Sequence, residues 1–124
     1  ASSYTLSGGT LAGTSGGLVK NGTGTLILGP TNTYTGSTLV NAGTLQLTAQ
    51  SPTSASLGST SGVTVASGAA LDLKGAKLSS AKTVTIAGAG PTGAGALVNT
   101  GGSVADYGLS VILSADATVG GTGR

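Results

Sequence analysis

Two extended runs that recur nineteen residues apart most constrain what this chain can fold into. In Gly16 to Leu47, GGLVKNGTGTLILGPTNTYTGSTLVNAGTLQL, Thr25-Leu26-Ile27-Leu28 follows an Asn21-Gly22 turn, and Thr44-Leu45-Gln46-Leu47 follows an Ala42-Gly43 turn. One polar loop, Thr31 to Gly36, lies between them. A hairpin brings its second strand back within a few residues. The 19 residues from Leu26 to Leu45 are too many for that and suit one turn of a coil of short strands stacked in parallel.

The same pattern runs along the rest of the chain. Tyr4-Thr5-Leu6 and Thr10-Leu11-Ala12 flank Gly8-Gly9. Val63-Thr64-Val65 turns at Ser67-Gly68 into Ala70-Leu71-Asp72-Leu73. Thr83 to Ile86 starts again after Lys82, and a glycine-rich loop from Ala87 to Gly95 leads to Ala96-Leu97-Val98. Leu109 to Leu113 and Ala117 to Val119 make the last pair. Pairs begin near residues 4, 18, 38, 63, 83 and 109, a mean repeat of roughly 20 residues. The expected fold is all-β, a single parallel β-helix (β-solenoid) of about six coils, with residues 1–124 as one domain. Residues 48–62, small and polar around Leu57, read as a long excursion off the coil.

Alternation points every second side chain inward. The expected core is Leu6, Leu11, Leu18, Leu26, Leu28, Leu39, Leu45, Leu47, Val63, Val65, Leu71, Leu73, Val84, Ile86, Leu97, Leu109, Val111, Leu113 and Val119. No window holds a sustained apolar stripe of helical period, and β-branched residues abound, so helix is not expected beyond one short turn near Leu78 to Lys82.

Composition narrows the class further. Glycine supplies 24 of 124 residues and charged residues only 6%, with no Phe, Trp, Met, Cys or His. A globule of this length normally fills its core with aromatic rings and methionine. Leu, Val, Ile and Ala suffice only where each core layer is narrow and repeated. Period-two apolar runs, positive mean hydropathy and only 3 prolines argue against a disordered chain. The net charge of +2 reflects scarcity of charge. Lys74, Lys77 and Lys82 lie close in sequence and are expected on a solvated rim that discourages edge pairing. Nucleic-acid binding would require more cations and stacking aromatics, so no nucleic-acid partner is expected. No 18-residue apolar run offers a membrane-spanning helix, so no membrane insertion by this segment is expected. A chain that starts at Ala1 and holds no Met reads as a mature product, an excised fragment or one unit of something longer.

Catalysis finds little to work with. The only carboxyl side chains are Asp72, Asp106 and Asp116. Asp72 lies between Leu71 and Leu73, so alternation turns it outward; Asp106 and Asp116 sit in loop-like surroundings where Asp makes local turn bonds. Glycoside cleavage needs two carboxyls on one face. Without His or Cys no Ser-His or Cys-His system forms, and zinc lacks its usual ligands. The chain is expected to be no enzyme, with no catalytic, cofactor-binding or metal site. Binding is the other class to weigh. Thr-x-Thr pairs at Thr23/Thr25, Thr31/Thr33, Thr33/Thr35 and Thr83/Thr85 would order ice-like water only if they aligned in one plane, and their spacing is irregular. Carbohydrate binding would use exposed rings, for which only Tyr4, Tyr34 and Tyr107 are present.

The central stretch closely resembles the autotransporter-associated β-strand repeat of bacterial surface proteins. That motif runs as a GGL-x-K-x-G-x-GTL opening, an N-x-Y-x-G loop and a V-x-AGTL close. Its positions here are Gly16, Gly17, Leu18, Lys20, Gly22, Gly24, Thr25 and Leu26; then Asn32, Tyr34 and Gly36; then Val40, Ala42, Gly43, Thr44 and Leu45. The resemblance covers about a quarter of the chain; Gly88 to Gly102 and Ala115 to Gly121 look like glycine-rich segments that accompany the repeat. It implies an extracellular location at a bacterial cell surface and a structural role as spacer or fibre, with adhesin-type, ice or carbohydrate binding as the alternative. A surface polysaccharide or host surface is then a possible partner. Neither end carries a helix, charge cluster or proline that would cap a solenoid, and Asp116 to Arg124 reads on into Ala1 as longer arrays of the repeat do. Head-to-tail self-association is therefore expected, with Tyr34 packing over a coil edge.

Overall fold

The computed structural model describes residues 3–6, 11–13, 16–29, 31–50, 56–78, 81–101 and 109–121. Its strands are β1 (Ser3–Leu6), β2 (Leu18–Lys20), β3 (Thr25–Leu28), β4 (Thr38–Val40), β5 (Gly43–Gln46), β6 (Val63–Val65), β7 (Ala69–Asp72), β8 (Lys82–Gly88), β9 (Leu97–Asn99), β10 (Leu109–Ala117) and β11 (Val119–Gly121). No helix forms among the described residues.

The odd-numbered strands build one sheet of six in the order β1-β3-β5-β7-β9-β11; the even-numbered strands build a second of five, β10-β8-β6-β4-β2. We call these sheets A and B. Every pairing is parallel. The chain therefore passes alternately from one sheet to the other, laying each strand against the strand two before it, as in a β-helix. Parallel neighbours cannot be joined by a tight turn, and here the crossover is the opposite sheet. The step from one strand to its neighbour ranges from 19 residues, Thr25 to Thr44, to 27, Lys82 to Leu109. Most of the extra residues lie in the connections; within the ladders, the β8–β10 register shifts between Leu113, opposite Ile86, and Ala117, opposite Gly88.

Register converts the sequence pattern into columns. On sheet A, Tyr4, Leu26, Leu45, Leu71, Leu97 and Val119 lie one above another. On sheet B, Leu18, Thr38, Val63, Val84 and Val111 form one column, and Lys20, Val40, Val65, Ile86 and Leu113 another. The columns of the two sheets meet in a narrow core where Leu45, Leu71, Val84 and Ile86 are fully enclosed. Leu28, Leu47, Val63, Val65, Leu73 and Leu97 join them, with Leu11, Leu18, Leu26 and Leu109 partly buried against them. Leu6 is paired in β1, but its side chain lies outside the described residues.

Four expected core residues are placed otherwise. Leu39 faces outward because β4 turns Thr38 and Val40 into the core. A threonine at an inward position is tolerable because its hydroxyl is satisfied there: Thr38 Oγ1 lies 2.9 Å from the Tyr34 hydroxyl and 2.9 Å from Thr60 Oγ1. Val111, Leu113 and Val119 do sit in inward columns but are 43%, 62% and 62% exposed, on the outermost strands among the described residues. Conversely, Leu57 in the expected excursion is wholly buried, as is Leu78 nearly so, and Ser56–Ser59 forms a turn tucked against the coil. Residues 51–55 of that stretch and 79–80 lie outside the described residues.

Replacing Leu45 or Leu71 with Ala is expected to cost about 2–5 kcal/mol, since each is enclosed above and below by another leucine. Leu39→Ala, made on the outer face of the sheet, should cost roughly 0.5 kcal/mol. Urea unfolding of the three variants measures the contrast; similar losses at Leu39 and Leu45 would show the opposite register in β4.

Candidate functional site

The polar residues of the central stretch work mainly between coils. Lys20 occupies an inward position where the next three coils carry Val40, Val65 and Ile86. It is 6% exposed, and its ammonium donates to the carbonyls of Asn21 (2.8 Å), Gly22 (2.7 Å) and Ala42 (3.2 Å). Burial lowers its pKa below the ordinary lysine value. The carbonyl of Ala42 belongs to the following coil, so one side chain ties two corners together. Gly43 completes this corner at φ +67°, and a Cβ there would collide with the carbonyl oxygens of Gly24 and Gly22 and crowd the Lys20 ammonium.

Asn32 plays the same part at the opposite corner. It is buried; its Nδ2 donates to Gly29 O at 3.2 Å and Ser56 O at 2.7 Å, and its Oδ1 accepts from Leu11 N at 3.0 Å. Three successive coils are thereby joined. Tyr34 is only 3% exposed, so it lies beneath the neighbouring turn and is unavailable as a surface ring. Burial raises its pKa against the opposing effect of its bond to Thr38. Tyr4 is 63% exposed at the β1 end, and Tyr107 lies outside the described residues.

The two carboxylates among the described residues lie on different sheets. Asp72 sits on β7 in sheet A and Asp116 on β10 in sheet B; Asp106 lies outside the described residues. Asp72 belongs to an outward column with Ile27, Gln46 and Val98, as alternation predicts. It is nevertheless 3% exposed, because the chain beyond β9 folds over it. Its Oδ1 accepts from Lys74 N (2.9 Å) and Thr100 N (3.1 Å), and its Oδ2 from Thr100 Oγ1 (2.6 Å) and Gln46 Nε2 (3.1 Å). Burial opposes ionisation, but the hydrogen bonds from Thr100, Lys74 and Gln46 outweigh it and hold the carboxyl below the ordinary aspartate value. The bond to Lys74 N also steadies a turn in which Lys74 adopts φ +48°, an uncommon conformation for a residue with a side chain.

Of the three clustered lysines, Lys74 and Lys77 are exposed as a rim would be, whereas Lys82 is 7% exposed and stands in line with Leu109. Its burial lowers its pKa. The reason is alternation, which makes Lys82 and Val84 neighbours on the inward side of β8. The Thr-x-Thr pairs do not share a plane: Thr25 lies on sheet A, Thr83 and Thr85 on sheet B, and Thr31, Thr33 and Thr35 in the connection before β4.

Two concavities lie beside these polar residues. A groove of about 490 Å³ runs over the outer face of sheet A, floored by Thr44, Gln46, Ala70 and Asp72 and walled by Pro91 and Thr92. Its lining offers hydroxyls and amides but no aromatic ring, and its carboxylate already accepts four hydrogen bonds. The second, about 580 Å³, opens at the β1–β2 end between Tyr4, Val19, Lys20, Gly22 and Leu26. No group of three or more His, Cys, Asp or Glu side chains gathers among the described residues. Sequence reasoning named Lys20 and Asn32 as motif positions without their chemistry; the usable signal was a lysine at the inward phase of a strand, two residues after Leu18.

Because Asp72 is ionised more readily in the fold than in the open chain, its stabilising contribution is complete above the ordinary value of 3.8 and is lost as pH falls through the lower folded value. Unfolding midpoints should therefore fall steeply below about pH 4, and Asp72→Asn should be less stable at neutral pH with a shallower acid limb. An unchanged acid limb in the variant would assign acid unfolding elsewhere.

No curated protein and no solved structure matches the chain. Residues 18–47 match the model of the passenger-associated-transport-repeat family, so the segment identified by that repeat is the one in which Lys20, Asn32, Tyr34, Gly36 and Gly43 lock neighbouring coils to one another.

Proposed function

We propose that this chain is a non-catalytic structural β-solenoid, a spacer or fibre-forming segment of an autotransporter passenger displayed at a bacterial cell surface. The observation that carries the reading is where its polar chemistry goes. Lys20, Asn32, Asp72 and Thr38, the groups best suited to act on a ligand, are buried and spend their hydrogen bonds on the backbone or hydroxyls of adjacent coils. A passenger-associated repeat implies a secreted or surface-displayed protein, and a fold held together without disulfides suits that setting when every layer repeats the last. Five strand pairs running from sheet B to sheet A, preceded by β1, make close to six coils, and the rod advances by roughly 4.8 Å per coil.

The rod associates head to tail. The reading is supported by the exposed aliphatic side chains Val111, Ile112, Leu113 and Val119 on β10 and β11, a row that a further strand-bearing layer would cover. Such a heterologous contact propagates instead of closing. Adhesin-type or carbohydrate binding would use the groove over sheet A, but no ring lines it.

Sedimentation and electron microscopy across a concentration series test the structural reading. The expected result is concentration-dependent linear oligomers. Compact monomers at every concentration would remove the stacking, and turnover of a polysaccharide abolished by Asp72→Asn or Asp116→Asn would replace the structural reading with an enzymatic one.

A further inference from the structure

The turn from β2 to β3 opens with Asn21 and Gly22. Asparagine is a labile residue, and one followed by glycine is open to attack by its own main chain. The glycine nitrogen bonds to the asparagine Cγ, and glycine puts no side chain in the way. The corner is uncrowded, since a Cβ on Gly22 would meet nothing within 4 Å. Corners lie on the flank of the coil, where water reaches them. Asn41 and Ser67-Gly68, at mid-stack corners, are exposed just as Asn21 and Gly22 are.

Two hydrogen bonds act on that reaction from opposite sides. The Lys20 ammonium donates to the main-chain carbonyl of Asn21 at 2.8 Å. This carbonyl and the Gly22 N–H belong to one peptide group, so a cation on the oxygen stabilises the group once its proton has left. The ammonium is held in place by its further bonds to the carbonyls of Gly22 and Ala42. On the other side, Asn41 Nδ2 donates to Asn21 Oδ1 at 2.9 Å. That donor polarises Cγ and faces the oxygen on which negative charge develops when Cγ becomes tetrahedral.

The other asparagines lack this combination. Asn41 precedes Ala42, whose side chain crowds the attacking nitrogen, and Lys20 reaches the carbonyl of Ala42 instead. Asn32 and Asn99 are buried and precede threonines. The main-chain N–H that would attack is held in each case, Thr33 N by Leu11 O at 2.8 Å and Thr100 N by Asp72 Oδ1 at 3.1 Å.

We propose that Asn21-Gly22 is a self-modifying corner, at which the fold promotes closure of a succinimide. The Gly22 nitrogen bonds to Asn21 Cγ, the Cγ–Nδ2 bond breaks, and Nδ2 leaves as ammonia with the proton that Gly22 gave up, relayed by solvent. Water then adds to one of the two ring carbonyls. Opening at Cγ leaves aspartate at position 21; opening at the main-chain carbonyl leaves isoaspartate. Either product places a carboxylate beside the Lys20 ammonium. Isoaspartate also lengthens the main chain by one methylene next to a carbonyl that Lys20 uses, so the brace between the two corners changes with the age of the chain.

The test compares the folded protein with the same protein unfolded in guanidinium chloride. Both are kept at mildly alkaline pH and mapped for aspartate and isoaspartate at position 21. Unfolding keeps the Asn-Gly sequence and removes both hydrogen bonds. Conversion of Asn21 is expected to be at least about fivefold faster in the folded protein, the worth of one ordinary hydrogen bond, with Asn32, Asn41 and Asn99 intact over the same period. Asn41→Ala removes the Nδ2 donor from an exposed position and should slow conversion in the folded protein about fivefold, leaving the unfolded rate unchanged. A folded rate equal to or below the unfolded one overturns the proposal. So does a folded Asn41→Ala protein that converts as fast as the parent. The comparison on the parent needs no variant, so it decides the matter even where Asn41→Ala does not fold.

Discussion

The parallel backbone ladder between successive coils is the constraint on which everything else here depends. Each strand pairs with the strands one coil before and after it, so every side chain must share its column with the side chains above and below. A spacing of about 4.8 Å favours like on like, with unlike neighbours where a polar side chain finds its own partners. Leucine on leucine, valine on valine and threonine on threonine recur down the columns for this reason. The absence of Phe, Trp and Met is the same fact seen from the composition, because a ring in one layer would need accommodation in the next. Glycine fills the corners where neighbouring coils come closest: a Cβ on Gly36 would collide with the backbone of Gly16 and Gly17.

Corners are also where a stacked fold has unpaired backbone, and the few strongly polar side chains are spent there. Lys20 gathers three carbonyls that point away from either sheet, and Asn32 joins Leu11, Gly29 and Ser56. An unsatisfied buried carbonyl or amide costs about 1–3 kcal/mol, so a single long donor that serves three of them justifies the desolvation of its charge. Asp72 does the converse, one acceptor for four donors drawn from β5, the turn after β7 and the residue after β9. Charge is scarce in this chain, and the buried Lys20 and Asp72 use theirs as cross-bracing between coils.

Much of this was legible in the sequence, and what was not has definite causes. The strand starts followed from alternation and glycine turns, and the all-β parallel character followed from the length of the repeat. β4 was read one residue out of phase, because in Ser37-Thr38-Leu39-Val40 a hydrophobicity pattern favours Leu39, whereas the hydroxyls of Tyr34 and Thr60 make Thr38 the better inward residue. Leu57 was hidden among small polar residues, and a single apolar residue has no period to reveal it. The burial of Asp72 was unreadable for a different reason: alternation tells which side of a strand a residue is on, but a distant segment decides whether that side is covered. Thr100, 28 residues away, covers Asp72.

A quasi-one-dimensional fold also transfers its hardest problem to its ends. A globule covers its last hydrophobic residue by curving round on itself, but a stack of coils can only add another layer. Val111, Leu113 and Val119 obey the same alternation as the enclosed Val84, Ile86 and Leu97, and differ from them in lying on the outermost described strands. Their exposure is therefore a property of position along the axis, not of the local sequence. The β1–β2 end is less apolar because its inward column begins with Lys20, whose charge is turned down into the corner carbonyls while its stem faces the axis. A hydrocarbon stem over a hydrogen-bonded head is a surface that tolerates water and yet accepts an aliphatic layer. The outermost described edges are therefore unlike: at β2 a lysine stem lies over its own hydrogen-bonded head, whereas β10 and β11 expose aliphatic side chains.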